Sequence, residues 1–153
     1  MKPVNYVKFT FLSRSINESF ARGAIAAFAA QLDPTVEQLA DIKTAVSEAV
    51  TNCIVHAYPA DVGQIQITAA VYENERLVIT ITDKGVGIAD VEAARQPMFT
   101  TGGAERAGLG FAVMESFMDN VKVRSKLGKG TRVTLIKQLH MREHTSRPLF
   151  CAA

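Results

Sequence analysis

VSEAVTNCIVHAY, running from Val46 to Tyr58, is the stretch on which the reading of this chain turns. Its apolar residues continue a stripe of Leu39, Ile42, Val46, Val50 and Cys53, whose spacing predicts a helix reaching about His56. Thr35 is placed to cap its start, and Gln38, three residues on, completes a capping-box pattern. Asp41, Glu48 and Asn52 fall on another face, with Glu48 and Asn52 four apart and therefore side by side. A carboxylate can take a proton from an attacking hydroxyl, and an amide oxygen can join the octahedral shell of magnesium. The pair resembles half of a phosphoryl-transfer site, although an exposed helical Glu beside an Asn gives the same pattern.

Moving outward, Ile65, Ile67, Ala69 and Val71 alternate with other residues, as do Leu77, Ile79 and Ile81, which predicts an antiparallel hairpin across Glu73-Asn74-Glu75. The second strand runs into Asp83-Lys84-Gly85-Val86-Gly87. There an acidic side chain can accept from an amino group, and glycines allow a flat ring close to the backbone, a geometry that suits adenine. Gly108-Leu109-Gly110 opens a further helical segment, with Leu109, Val113 and Phe117 on one face, and would offer N–H groups to phosphates. Gly128-Lys129-Gly130 makes a turn, and Thr131 starts the last strand, so its hydroxyl is expected near Asp83 if the two strands are neighbours. Between them, residues 96–107 lack periodicity and read as a mobile lid, in which Thr100, Thr101 and Arg106 could meet a terminal phosphate.

At the N-terminal side, Val7, Phe9 and Phe11 alternate as a strand, and Phe20, Ala24, Ala27, Phe28 and Leu32 recur at helical spacing until Asp33-Pro34. A short helical piece is expected from Asp90 to Arg95. Helices and antiparallel strands segregated in this way imply an α/β fold, a two-layer sandwich of a mixed, mostly antiparallel sheet and helices. Residues 1–139 are expected to form one domain and 140–153 a tail.

The 17 basic and 15 acidic residues among 153 are interspersed, giving a net charge of +2 and little reason to expect direct nucleic-acid binding. Two cysteines make no disulfide framework. The alternating N-terminus lacks the apolar core of a signal peptide, and no stretch approaches a membrane span, so a cytoplasmic protein without a membrane partner is expected. His140 and His144 have a zinc-compatible spacing with no second ligand pair nearby. No serine-hydrolase elbow or Walker-type loop is present.

Taken in order, Glu48-x-x-x-Asn52, Asp83-x-Gly85-x-Gly87, Gly108-x-Gly110 and Gly128-x-Gly130-Thr131 resemble the N, G1, G2 and G3 boxes of the GHKL superfamily, which includes DNA gyrase, histidine kinases, heat-shock chaperones and MutL-type ATPases. That resemblance implies the Bergerat ATP-binding fold. Through NESFAR (17–22), VSEAVTNCIVHAY and ARQPMFTT (94–101), the chain is further similar to the anti-sigma serine kinases of endospore-forming bacteria. The resemblance implies ATP or ADP with magnesium as cofactors, a sigma factor (sigma F) as a bound partner, an anti-anti-sigma protein as the substrate, and a homodimer. It makes Glu48 the general base and Asn52 the magnesium ligand. Asp83 would read the adenine amino group with Gly85, Gly87 and Thr131 around it. Gly108 and Gly110 would admit the phosphate chain, and Arg106, Thr100 and Thr101 would close over its end. Glu18 and Arg22, four apart on the first helix, would touch partners. The sequence alone leaves three alternatives: a histidine-kinase catalytic domain, a sibling kinase of the general stress response, and a module that uses ATP only as a conformational ligand.

Overall fold

A computed structural model describes residues 1–96 and 110–139. Chain order is β1 (Asn5–Leu12), α1 (Asn17–Ala29) extended by a 3-10 turn to Leu32, α2 (Val36–Asn52) continued by a π-turn (Cys53–Ala57), β2 (Gln64–Val71), β3 (Arg76–Asp83), α3 (Val91–Arg95), α4 (Phe111–Phe117), β4 (Asn120–Lys126) and β5 (Gly130–Gln138). The strands form one sheet in the order β1-β2-β3-β5-β4. The expected mixed sheet is antiparallel at every pairing among the described residues, because each neighbour follows by a hairpin or by a connection that returns in the opposite sense.

Ile65, Ile67, Ala69 and Val71 of β2 and Leu77, Ile79 and Ile81 of β3 point to one face and are fully buried, as their alternation predicts. Against that face lie Ile42, Ala45, Val46, Ala49 and Val50 of α2, so sheet and helix bury a common core. Fully burying side chains of this size contributes roughly 1.5–3 kcal/mol each. The first helix is phased differently from its expected stripe. Leu32 is buried and Phe28 packs against the core as expected, but the other buried positions are Ala21, Ile25 and Ala29, and Phe20 is 59% exposed with its ring edge-on to Phe9, 5.9 Å away. Alanines at the contact let α1 approach α2 closely, a fit that the bulkier Phe20 would prevent.

Thr35 caps α2 as expected: its Oγ1 accepts from the Gln38 N–H at 3.1 Å, and the Gln38 side chain accepts from the Thr35 N–H at 2.9 Å. Thr35→Ala is expected to lower unfolding stability by about 1 kcal/mol, measured as a shift in the denaturant midpoint at constant slope. At the other end of the sheet, Lys122, Arg124 and Lys126 alternate along β4 on the helix-free face, with Arg132 directly opposite Arg124. Charges interspersed in the sequence are thereby gathered on an edge strand, where cations discourage edge-to-edge pairing. No described helix is long and apolar enough to cross a membrane.

Candidate functional site

The last regular turn of α2 gives way to a π-turn, a feature often found where a helix serves a site. It aims the Ala57 carbonyl at the Asp83–Gly87 loop, where it accepts from the Val86 N–H at 3.0 Å. Gly85 passes so close that a methyl group built there would overlap the Ala57 carbonyl, which explains the need for glycine at this position. The loop is held from its other side by the β4–β5 turn, through Gly128 N–H to Val86 O at 2.7 Å. The Tyr58 hydroxyl adds a brace by accepting from Lys84 N–H at 2.8 Å and donating to Gln64 O at 2.7 Å.

These elements enclose a cavity. Asn52, Cys53 and His56 line it from α2 and its π-turn, Asp83, Gly87 and Ile88 from the loop, and Thr131 and Val133 from β5, with Phe111 of α4 closing one wall. Ile88, Phe111 and Val133 supply apolar surface and Asp83 supplies the charge, a combination suited to a flat heterocycle bearing an amino group. Asp83 is only 6% exposed. Its Oδ1 accepts from Gly85 N–H at 2.9 Å and from Thr131 N–H at 3.2 Å, and the Cys53 thiol donates to its Oδ2 at 3.5 Å. Burial pushes the Asp83 carboxyl above the usual range, and the bonds from Gly85, Cys53 and Thr131 only partly counter it. Burial, with the neighbouring carboxylate, pushes the Cys53 thiol well up, so it stays a neutral donor.

Of the residues expected from the sequence, Asn52, Asp83, Gly87 and Thr131 meet in this cavity, and Gly85 sits behind it. Thr131 differs in one respect: its backbone N–H, not its hydroxyl, reaches Asp83, and the hydroxyl lies 2.8 Å from Ser125 Oγ. Glu48 is half-buried one turn before Asn52, beside Gly110. Gly110 has φ of 62° and would bring any side chain against the Glu48 carboxylate, so this left-handed cap keeps α4 and α2 close enough to share the site. Asp41 is separate, ion-paired with Lys137 at 3.2 Å.

On α4 the buried positions are Phe111 and Met114, while Val113 is 37% exposed, so the face expected from Leu109, Val113 and Phe117 is rotated. The cap at Gly110 sets the helix start and with it the phase. Glu18 lies 3.7 Å from Arg22 and also accepts from the Ser47 hydroxyl of α2. Arg22 shares an open groove with Lys43, Ser47 and Glu48. Thr100, Thr101, Arg106, Gly108, Leu109, His140 and His144 lie outside the described residues. Cys53, Ser125 and Phe111 escaped the sequence reading of the site, since a thiol, a strand serine and a helical phenylalanine carry no motif of their own.

Residues 13–137 match the family described as histidine kinase-like ATPase domain. The chain is 57% identical over 136 residues to the anti-sigma F factor of Caldanaerobacter subterraneus subsp. tengcongensis, covering 88% of this chain and 94% of that protein. It is 49% identical over 140 residues to the anti-sigma F factor of Clostridium acetobutylicum, covering 91% and 97%. The solved structure of the RsbU and RsbW domains of Rv1364c from Mycobacterium tuberculosis superposes with a TM-score of 0.67 at 19% identity, over 97% of this chain and 36% of that one. The blue-light activated histidine kinase of Erythrobacter litoralis EL346 superposes with a TM-score of 0.56 at 24% identity, over 76% and 40%. These two share the two-layer fold. With its ordered boxes, its buried acceptor in a largely apolar cavity and relatives matched over almost their whole length, the chain belongs to the histidine kinase-like ATPase domain family and, within it, to the anti-sigma F factors.

Proposed function

We propose that this protein is an ATP-dependent serine kinase that holds a sigma factor (sigma F) and phosphorylates an anti-anti-sigma protein, acting as a homodimer. The observation that carries the nucleotide half of this reading is Asp83, a buried carboxylate on the floor of an otherwise largely apolar cavity. It accepts the adenine amino group, with Gly85 and Gly87 giving the ring access and Thr131 beside it. Gly108 and Gly110 give room to the phosphate chain, and Thr100, Thr101 and Arg106 close over its end.

Among the described residues there is no group of three or more His, Cys, Asp or Glu able to hold a metal unaided. Magnesium usually takes only one or two protein oxygens and completes its shell with phosphates and water. Asn52 would be the protein ligand, and the ion when bound would neutralise charge on the phosphates. Glu48 accepts the proton of the substrate serine hydroxyl as that oxygen attacks the terminal phosphorus, and Arg106 stabilises the charge that spreads over the phosphoryl oxygens. Because Arg22 and Glu48 line one groove, a partner docked on Glu18 and Arg22 would present its serine near the base.

The sigma-holding half of the reading is tested by titrating sigma F onto the protein in Mg-ATP and in Mg-ADP. Tighter binding with ATP is expected, because the lid and the partner surface should both respond to the terminal phosphate. Equal affinity in the two nucleotides would refute the coupling.

A further inference from the structure

Ser125, one residue before the end of β4 beside the β4–β5 turn, bears no assigned role, yet three polar groups converge on its hydroxyl. Its Oγ accepts from the Ile88 N–H at 2.7 Å, lies 3.0 Å from the Gly130 carbonyl oxygen, and lies 2.8 Å from the Thr131 hydroxyl. A serine hydroxyl has one proton and two lone pairs. The carbonyl of Gly130 can only accept, so the single Ser125 proton goes there. One lone pair is taken by Ile88 N–H. What remains for Thr131 is the other lone pair, and the Thr131 hydroxyl must therefore donate to Ser125.

The consequence lies on the pocket side. With its proton committed to Ser125, the Thr131 hydroxyl can offer the cavity only lone pairs. Beside it the Asp83 carboxylate is also an acceptor, and the Thr131 N–H that could have donated is spent on Asp83 Oδ1. This edge of the pocket thus consists of acceptors alone. We propose that Ser125 is a positioning residue for nucleotide specificity: it fixes the proton of Thr131 away from the pocket, so that the site favours a purine carrying an amino group at position 6 over one carrying a carbonyl there. The inference rests on the reading of the cavity as the adenine pocket.

Inosine triphosphate reverses that edge, with a carbonyl in place of the amine at position 6 and a proton on the adjacent N1, so the Thr131→Val background is needed to isolate the part of the difference that passes through Thr131. Affinities for Mg-ATP and Mg-ITP are measured by calorimetry for wild type, Ser125→Ala, Ser125→Thr and Thr131→Val. Wild type should prefer ATP. In Ser125→Ala the Thr131 hydroxyl is released to donate to a carbonyl, and the ATP:ITP preference should fall by about three- to tenfold, the scale of one hydrogen bond reversed. Ser125→Thr, which keeps the hydroxyl, should retain the preference. In a Thr131→Val background, Ser125→Ala should leave the ratio unchanged, since the group it acts through is gone. A purely structural role, through the bond that Ile88 loses, would weaken both nucleotides by the same factor. That result, with wild type preferring ATP, would overturn the assignment of Ser125 alone. A wild type that binds ATP and ITP alike would instead remove the amine-reading role of Asp83, and the proposal with it.

Discussion

Glu48→Ala is expected to bind Mg-ATP with nearly wild-type affinity while transferring phosphate to the partner serine at least about a hundredfold more slowly, in line with the loss of a general base. Glu48 does not line the cavity that takes Asn52 and Asp83. It sits one helical turn away, half-buried, with its carboxylate against Gly110 and its flank on the groove shared with Arg22. That position separates binding from chemistry, because deleting the side chain removes none of the contacts around Asp83. Glu48→Gln keeps the shape beside Gly110 and removes only the basicity, so it should be as slow as the alanine variant. Transfer at the wild-type rate in either variant would mean that another group takes the proton.

Asp83→Asn is expected to lower ATP affinity by roughly a hundredfold without destabilising the nucleotide-free protein. The carboxylate receives Gly85 and Thr131 N–H groups on Oδ1 and the Cys53 thiol on Oδ2. An amide can satisfy the two backbone donors with its oxygen, but its NH2 group then faces the thiol and the adenine amine, donor against donor. Stability should move the other way. Burial raises the carboxyl pKa in the folded chain, so the favourable contribution belongs to the protonated form. It is fully present below the unfolded pKa and lost as pH rises through the folded one, which leaves a buried anion as a net cost at neutral pH. The neutral amide removes that cost, and the melting temperature at pH 7 should hold or rise. The same shift makes wild-type ATP binding weaken on acidification at a pH above the 3.8 of an ordinary aspartate, a dependence that Asp83→Asn should lack. An unchanged ATP affinity in Asp83→Asn would place the nucleotide elsewhere.

Much of this is legible in the amino-acid sequence. Alternation fixed β2 and β3 together with their buried faces, because one face of an antiparallel sheet must be apolar. Thr35 and Gln38 marked the start of α2 through a local hydrogen-bond exchange that needs no tertiary context. The glycines around Asp83 and Thr131 marked the cavity walls, since close approach of backbones leaves its trace as missing side chains. The phases of the first turns of α1 and of α4 differ from their expected stripes for a common reason. Periodicity in alanine-rich or short helices admits two faces, and the choice falls to packing: small Ala21 and Ala29 against α2, and the cap at Gly110 that starts α4. The π-turn at Cys53–Ala57 was invisible because it depends on a carbonyl being drawn to Val86, 29 residues away along the chain. Ser125 was missed for a similar reason, as its importance is a matter of proton counting among Ile88, Gly130 and Thr131.

In the proposed reaction the terminal phosphate leaves ATP in this pocket and arrives on a protein serine. The protein, Mg-ATP labelled at the terminal phosphate, and a purified anti-anti-sigma protein are incubated together, and the label is followed to a mapped residue. Stoichiometric label is expected on one serine of the partner, appearing at least about a hundredfold more slowly with Glu48→Ala and, at an ATP concentration near the wild-type Kd, strongly reduced with Asp83→Asn. Tight ATP binding with no label on the partner would contradict this reaction and leave a module that uses ATP as a conformational ligand.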